Sequence, residues 1–396
     1  MGKIIFLGQM FTAKSLQEAY GCCKHGVQMA VHKFQENLLQ GFYCQEEIDF
    51  CVINIPPVGS YLLNYKKLFI KKEIWGGDNL QLGYINLPKI KHFIQQRKLI
   101  RVLEKKLKDG NEVSIIIYLL YKPYLKAVER LKKKYSNLKV FLLQTDAVCG
   151  RDDLEKQMTP AKIRLGNELV ERAKCCDGFI LLSEQLKTPL EIGGRPYVVV
   201  ECVAGLDKDA KTKNDLSKNR VLYTGTVNKA FGILDLANAF KNLPNAELWI
   251  CGAGDSAQEL KELSQKYSNI KFFGFVKSEK VEELQNECDF LINPRRPSGT
   301  YTKYSFPSKT VEYMLTAKPV IMYKLEALPD EYDEYLNYLT ADEPCKIAEE
   351  LKNIFNSDYN LLKLKGERAR QFVLENKNSK VQAKKIIELI NKGCNK

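Results

Sequence analysis

Phe290-Leu-Ile-Asn-Pro-Arg-Arg-Pro-Ser-Gly-Thr-Tyr-Thr-Lys-Tyr-Ser-Phe-Pro-Ser-Lys-Thr-Val-Glu312-Tyr-Met-Leu-Thr-Ala-Lys-Pro-Val-Ile321 reads as a strand, a polar loop, a helix and a second strand in one run. Phe290–Ile292 is apolar enough for a buried strand, and Pro294, Pro297 and Gly299 mark the loop after it. Pro307 suits a first helical position and a serine suits the cap, so a helix is expected through Glu312 to about Leu315. It stops before Lys318-Pro319, and Val320–Met322 is the next strand. A loop carrying Arg295, Arg296 and Lys303 therefore empties onto a helix N-terminus whose first amides belong to Ser308, Lys309 and Thr310. Amides, helix dipole and nearby cations suit an anion, usually phosphate. Glu312 lies one turn deeper, four residues from Ser308, which is not capping-box spacing. It suits hydroxyls better than phosphate, and phosphate plus diol is what a nucleotide-sugar presents.

The surrounding chain, 396 residues with 45% apolar content, is long enough for two domains. No apolar run reaches the roughly 20 residues that span a bilayer. Met1–Gly8 turns polar too soon for a signal peptide and reads as a first strand, and Phe6 breaks a myristoylation pattern. Twelve dispersed cysteines without a Cys-x-x-Cys, and three scattered histidines, argue for reduced thiols in a cytosol and against zinc. Residues 51–150 hold 19 Lys and Arg against 7 Asp and Glu, a net of +12 that is nearly all of the chain's +13. Such a region is either a solvated surface or a patch for an anionic membrane; no nucleic-acid-binding module accompanies it.

Apolar runs alternate with helical spacing along the whole chain. Strands are expected at 3–7, 48–55, 113–121, 140–143, 178–182 and 197–200, with helices at 16–22, 26–40, 85–107, 124–134 and 169–174. The stretch 203–219 is polar and aperiodic, as a linker would be. A second alternation follows, with strands at 220–224, 247–251, 270–273 and 290–292 and helices at 232–242, 258–267 and 281–287. Helices at 347–355, 360–372 and 381–391 close the chain. This is an α/β chain of two open parallel sheets, and the best cleft of such a pair lies at the strand C-termini. Gly225 and Thr226 with Lys229 after the first strand of the second half are a phosphate loop or a plain turn. Gly252 in Gly-Ala-Gly-Asp255 has the same two readings, and neither is a Walker loop. Asp146, after a strand, is a catalytic carboxylate or a cap.

Val221-Leu-Tyr-Thr-Gly-Thr, Leu248-Trp-Ile-Cys-Gly-Ala-Gly-Asp255, Ile270-Lys-Phe-Phe-Gly-Phe-Val276, Cys288-Asp-Phe-Leu-Ile-Asn-Pro294 and Phe306-Pro-Ser-Lys-Thr-Val-Glu-Tyr-Met314 occur in the order seen in family 4 glycosyltransferases. The chain resembles bacterial members that build capsular or other surface polysaccharides, over roughly residues 200–375. Residues 1–200 resemble their acceptor domain less sharply, at Pro56-Pro-Val-Gly-Ser60 and Asp177-Gly-Phe-Ile-Leu-Leu-Ser-Glu184. The resemblance implies two Rossmann-like domains facing across a cleft, the GT-B fold: 1–203 for the acceptor, 204–375 for the donor, and a helix at 376–396 crossing back to the first. It implies a retaining, metal-independent transfer from a nucleotide-diphosphate sugar, UDP-linked, with no cofactor. The diphosphate would sit at Ser308 and Lys309, with Arg295 and Lys229 as further cations. Glu312 would match the second glutamate of the family's Glu-x7-Glu motif and hold the ribose, while backbone at Phe275 and Val276 would hold the base.

The sequence departs from that pattern at residue 304, where the motif's first glutamate would fall and Tyr304 stands. Tyr304 and Asp146, the latter in place of a histidine seen in many members, are the catalytic candidates. Lys229, Arg295 or Lys309 would replace basic residues that the family carries after the Gly225 loop. A lipid-linked saccharide acceptor at the inner face of the plasma membrane, approached through the basic region 51–150, completes the expectation. The alternative is an inactive relative serving as a partner subunit; a phosphorylase of the same architecture would need a phosphate or pyridoxal motif that is not visible.

Overall fold

Two parallel sheets form where the apolar runs fall, each inside its own structural unit: Met1–Gly205 with Asn378–Lys396, and Leu206–Lys377. The computed structural model describes residues 2–24, 27, 29–46, 48–148, 158–205, 219–297 and 300–394, so most of the expected linker lies outside the described residues.

In the first unit β1 (Lys3–Gly8) is followed by α1 (Ala13–Cys22), α2 (Met29–Tyr43) and β2 (Phe50–Asn54). A short excursion comes next: β3 (Phe69–Ile70), β4 (Glu73–Trp75), β5 (Asn79–Gln81) and β6 (Tyr84–Ile85). Then α3 (Lys91–Leu107), β7 (Val113–Tyr118), α4 (Lys122–Lys132), β8 (Leu138–Gln144), α5 (Pro160–Ala173), β9 (Gly178–Leu181) and β10 (Tyr197–Val199) alternate regularly. The sheet order is β10-β9-β8-β7-β1-β2-β5-β4, parallel except for the edge strand β4. Every residue of β7 is buried, as a strand covered by helices on both faces must be.

The second unit runs β11 (Arg220–Thr224), α6 (Ile233–Phe240), β12 (Glu247–Cys251), α7 (Ala257–Lys266), β13 (Ile270–Gly274), α8 (Ser278–Glu287) and β14 (Phe290–Asn293). It continues with α9 (Thr300–Tyr304), α10 (Ser308–Met314), β15 (Val320–Tyr323), β16 (Leu336–Leu339), α11 (Pro344–Phe355) and α12 (Tyr359–Asn376). The sheet order β13-β12-β11-β14-β15-β16 is the doubly wound order of a nucleotide-binding sheet, with the reversal between β11 and β14. Both units are Rossmann-like.

The last helix, α13 (Ser379–Cys394), belongs to the first unit and packs on α2. Ile386 and Ile390 enter one core with Leu38, Phe42, Ile4 and Phe6. Each such side chain contributes roughly 1.5–3 kcal/mol of burial. Gly41 allows the contact: a Cβ there would stand 1.9 Å from the Ser379 carbonyl oxygen.

An aspartate clamps each sheet at the start of a strand. Asp177, before β9, accepts from the Val140 amide of β8 and from Lys132 Nζ, all at 2.8 Å. Asp289, before β14, accepts from the Arg220 amide of β11 at 2.7 Å and from its guanidinium at 3.1 and 3.2 Å. Both follow a buried cysteine, Cys176 or Cys288.

The expected helix at 85–107 is shorter than its pattern. Ile85 pairs with Phe69 in an antiparallel ribbon, and the helix begins only at Lys91. Pro88 and Lys89, the latter at φ +69°, break the run, since neither conformation propagates a helix backwards. Three features had no counterpart in the periodicity: the β3–β6 excursion, the 3-10 turn Asp330–Tyr335, and β16. Their apolar runs are too short to stand out. The other helices lie within a few residues of their expected spans, as at α1 and α12, except α5, which begins at Pro160 rather than at the expected 169.

Candidate functional site

The reversal of strand order between β11 and β14 opens a crevice at their carboxyl ends, because the connections leave the two strands in opposite directions. The loop after β11 carries Gly225, Thr226 and Lys229. It is laced to the turn after β12: Gly225 donates to the Cys251 carbonyl (2.9 Å), Val227 to Ala253 (3.1 Å), and Ser256 back to Val227 (3.0 Å). Asp255 accepts from the Lys229 amide at 2.9 Å. Gly252 is explained by this lacing, since a Cβ there would fall 1.7 Å from the Gly225 carbonyl oxygen. Its bareness serves the approach of two loops. Thr226 and the Lys229 side chain are exposed.

The run after β14 differs from its expected form in three ways. Residues Thr300–Tyr304 make a helical turn where a loop was expected, while Ser298 and Gly299 lie outside the described residues. Pro307 is the cap position and α10 starts at Ser308, because Pro307 has ψ 84°, outside the helical range. The Thr310 amide is already spent, donating to the Pro307 carbonyl at 2.8 Å, so it is unavailable to an anion.

Tyr313, fully buried, locks α10 to the end of β11. Its hydroxyl donates to the Thr224 carbonyl (3.1 Å) and accepts from the Thr224 amide (2.9 Å). Desolvation raises the phenol well above its usual range. Tyr313→Phe is expected to cost about 1–2 kcal/mol, because it strands a buried amide; urea denaturation would read this. Lys318 is equally hidden in the sequence. It is buried, its ammonium donates to the Cys288 and Asn286 carbonyls at 2.6 and 3.2 Å, and it thereby caps α8; burial lowers its pKa.

Two of the expected cations have local partners. Arg296 pairs with Asp235 at 3.1 Å and reaches the Asp342 carbonyl at 2.5 Å, so it is a strut between α6 and the loop before α11. Lys309 pairs with Glu312 at 2.6 Å on one face of α10. Arg295 stacks over the Phe231 ring at 5.7 Å, beside the Gly225 loop. Gly232 brings that loop and the β14 loop together: its Cβ would stand 2.5 Å from the Pro294 carbonyl oxygen. Phe275, after β13, is 84% exposed, and Val276 beside it is half-buried. Tyr304 is only 6% exposed, with the Lys303 ammonium 5.9 Å over its ring. It is packed rather than presented, so it offers no open group in the slot of the missing carboxylate.

In the first unit Asp146 follows β8. Its surface is open, but neighbouring protein atoms raise its carboxyl above the usual range, against a hydrogen bond from Thr145 at 3.4 Å. Thr145 in turn meets the Tyr118 hydroxyl at 3.3 Å. No group of three acidic, histidine or cysteine side chains placed to hold a metal occurs among the described residues.

Comparison with known proteins points the same way. Residues 218–357 match the family model described as glycosyl transferases group 1. An uncharacterized glycosyltransferase of Methanocaldococcus jannaschii, MJ1069, is 26% identical over 202 residues, which is 48% of this chain and 50% of that protein. The alignment thus spans about half the length of this curated relative. Sucrose-phosphate synthase from Thermosynechococcus elongatus superposes with a TM-score of 0.64 at 14% identity, covering 98% of both chains. HepE from Anabaena, solved in complex with UDP, gives 0.62 at 13% identity, covering 98% of this chain and all of that one. TarM gives 0.64 at 11% identity over 99% of both. At these identities the structures show the fold, which is GT-B.

Proposed function

We propose that this chain is a glycosyltransferase that moves a hexose-type sugar from a nucleotide-diphosphate sugar to a saccharide acceptor. The carrying observation is the crevice between β11 and β14. There a glycine loop, Arg295, the first amides of α10 and the Lys309–Glu312 pair stand at the strand reversal of a nucleotide-binding sheet. The matched family region covers all of these residues. UDP bound by HepE supports a UDP-linked donor.

The leaving diphosphate gathers negative charge as the bond from the anomeric carbon to its phosphate oxygen breaks. Lys309, Arg295, Lys229 and the Ser308 amide would hold that charge in place of a metal ion. The acceptor oxygen bonds to the anomeric carbon and its proton leaves with the diphosphate. We read the transfer as retaining, with Glu312 on the ribose, Phe275 and Val276 beside the base, and Asp146 on the acceptor side. The basic region 51–150 supports a lipid-linked acceptor at the inner face of the plasma membrane, in surface polysaccharide synthesis.

Thermal shift against a panel of nucleotide-sugars, followed by assay of nucleotide release, tests this. One UDP-sugar at a hundredfold excess over its Kd should stabilise by about 2.7 kcal/mol and be turned over. No shift with any nucleotide would sink the proposal. A second reading, an inactive partner subunit, is favoured by the buried Tyr304; a UDP-sugar that binds without turnover would select it.

A further inference from the structure

Eight of the seventeen large apolar side chains exposed among the described residues lie between 62 and 93, in the turn before β3, the β3–β6 excursion, the loop after it and the start of α3. Leu62 and Leu63 form the tip of a turn, at 66% and 62% exposure, with Leu62 at φ +60° and its amide held by the Tyr65 carbonyl at 2.9 Å. Phe69, 63% exposed, stands opposite Ile85 across the β3–β6 ribbon, while their neighbours Ile70 and Tyr84 face the core. The ribbon therefore has one buried face and one apolar face in water. Tyr65 and Phe69 also line a pocket in this unit, together with Lys14, Lys71 and Lys72.

The two carboxylates of that pocket are already engaged: Glu18 with Lys67 at 2.7 Å and Glu73 with the Thr12 hydroxyl at 2.8 Å. Lys67, Lys71 and Lys14 together hold the Glu18 carboxyl below its usual range. Residues 62–93 carry six lysines against Glu73 and Asp78, and Asp78 is paired with Lys106 at 3.5 Å. Apolar side chains standing in water among lysines that outnumber the nearby carboxylates match the two layers of an anionic bilayer, hydrocarbon beside phosphate. A protein partner would have to bring its own acidic ring around an apolar centre.

We propose that the Leu62-Leu63 turn and the exposed ribbon side of Phe69 and Ile85 dock on an anionic lipid bilayer, with the Lys14–Lys71–Lys72 pocket beside Phe69 taking a lipid phosphate. This rests on the peripheral placement proposed above and assigns it to a surface. The leucine turn enters the headgroup boundary and the lysines remain at phosphate depth.

Flotation with vesicles of phosphatidylcholine, with and without phosphatidylglycerol, tests it on the full chain. Wild type should float only with phosphatidylglycerol present. Leu62→Ser with Leu63→Ser, and separately Lys71→Ala with Lys72→Ala, should each weaken partition at least roughly tenfold, at roughly fivefold per lysine. Leu361→Ser, equally exposed on α12 of the other unit, should change nothing. UDP binding by calorimetry should be the same in all variants, which separates this surface from the donor reading. If wild type floats and both double variants float equally well, the surface is wrong and the peripheral placement survives. If wild type floats with neither vesicle, both fall.

Discussion

Glu312→Ala is expected to weaken UDP binding by roughly 10- to 150-fold while leaving the protein folded. The Lys309–Glu312 pair, 2.6 Å apart, has side chains 44% and 38% exposed. Such a pair contributes at most about 1 kcal/mol to folding. A carboxylate that binds a diol makes charged hydrogen bonds worth about 1.5–3 kcal/mol. Lys309 loses its partner in the variant and turns wholly to the diphosphate. The loss should therefore fall on UDP and spare pyrophosphate, and calorimetry with both ligands reads the difference. Lys309→Ala should instead weaken UDP and pyrophosphate alike, because both carry the diphosphate. UDP binding that is unchanged in Glu312→Ala would remove the ribose role.

Asp289→Ala is expected to cost about 3–5 kcal/mol of stability in the C-terminal unit. The Asp289 side chain has no exposure and that of Arg220 has 19%, so removing the carboxylate leaves a guanidinium largely out of water. It also strands the Arg220 amide, which donates to it at 2.7 Å. β11 and β14 are the strands whose carboxyl ends flank the candidate site, so loosening their amino ends should also weaken UDP binding. The comparable clamp at Asp177 lies in the other unit, and Asp177→Ala should leave UDP affinity unchanged. Urea denaturation of both variants, with UDP titration of each, checks this. A loss below about 1 kcal/mol for Asp289→Ala would mean that the clamp is relieved by solvent.

The long alternation of strands and helices was legible because periodicity is local. Apolar spacing at Val113–Tyr118 or Ile233–Phe240 needs no knowledge of a partner. β3 and β6 are two residues long and Asn337 interrupts the apolar residues of β16, so these strands carry too little pattern to separate from loop. The helix expected at 85–107 failed where Pro88 and Lys89 override spacing. The residues of the candidate site could be named singly: Gly225, Arg295, Lys309 and Glu312 all stand around the β11–β14 reversal or on α10 beside it. Which of them already had partners could not be read.

By itself the sequence determined two α/β alternations, the polar stretch between them, the glycine and helix-opening motifs after β11 and β14, and the basic region at 51–150. Tertiary structure alone decided the strand order that sets β11 beside β14. It also decided the pairing of Arg296 with Asp235 and Asp342, the burial of Tyr304 and Lys318, the lock of Tyr313 on Thr224, and the pairing of Phe69 with Ile85 on the exposed side of a ribbon. The reason is physical. Backbone pattern depends on neighbours a few residues away, whereas burial and charge pairing depend on which distant segments the sheet brings within a few ångströms.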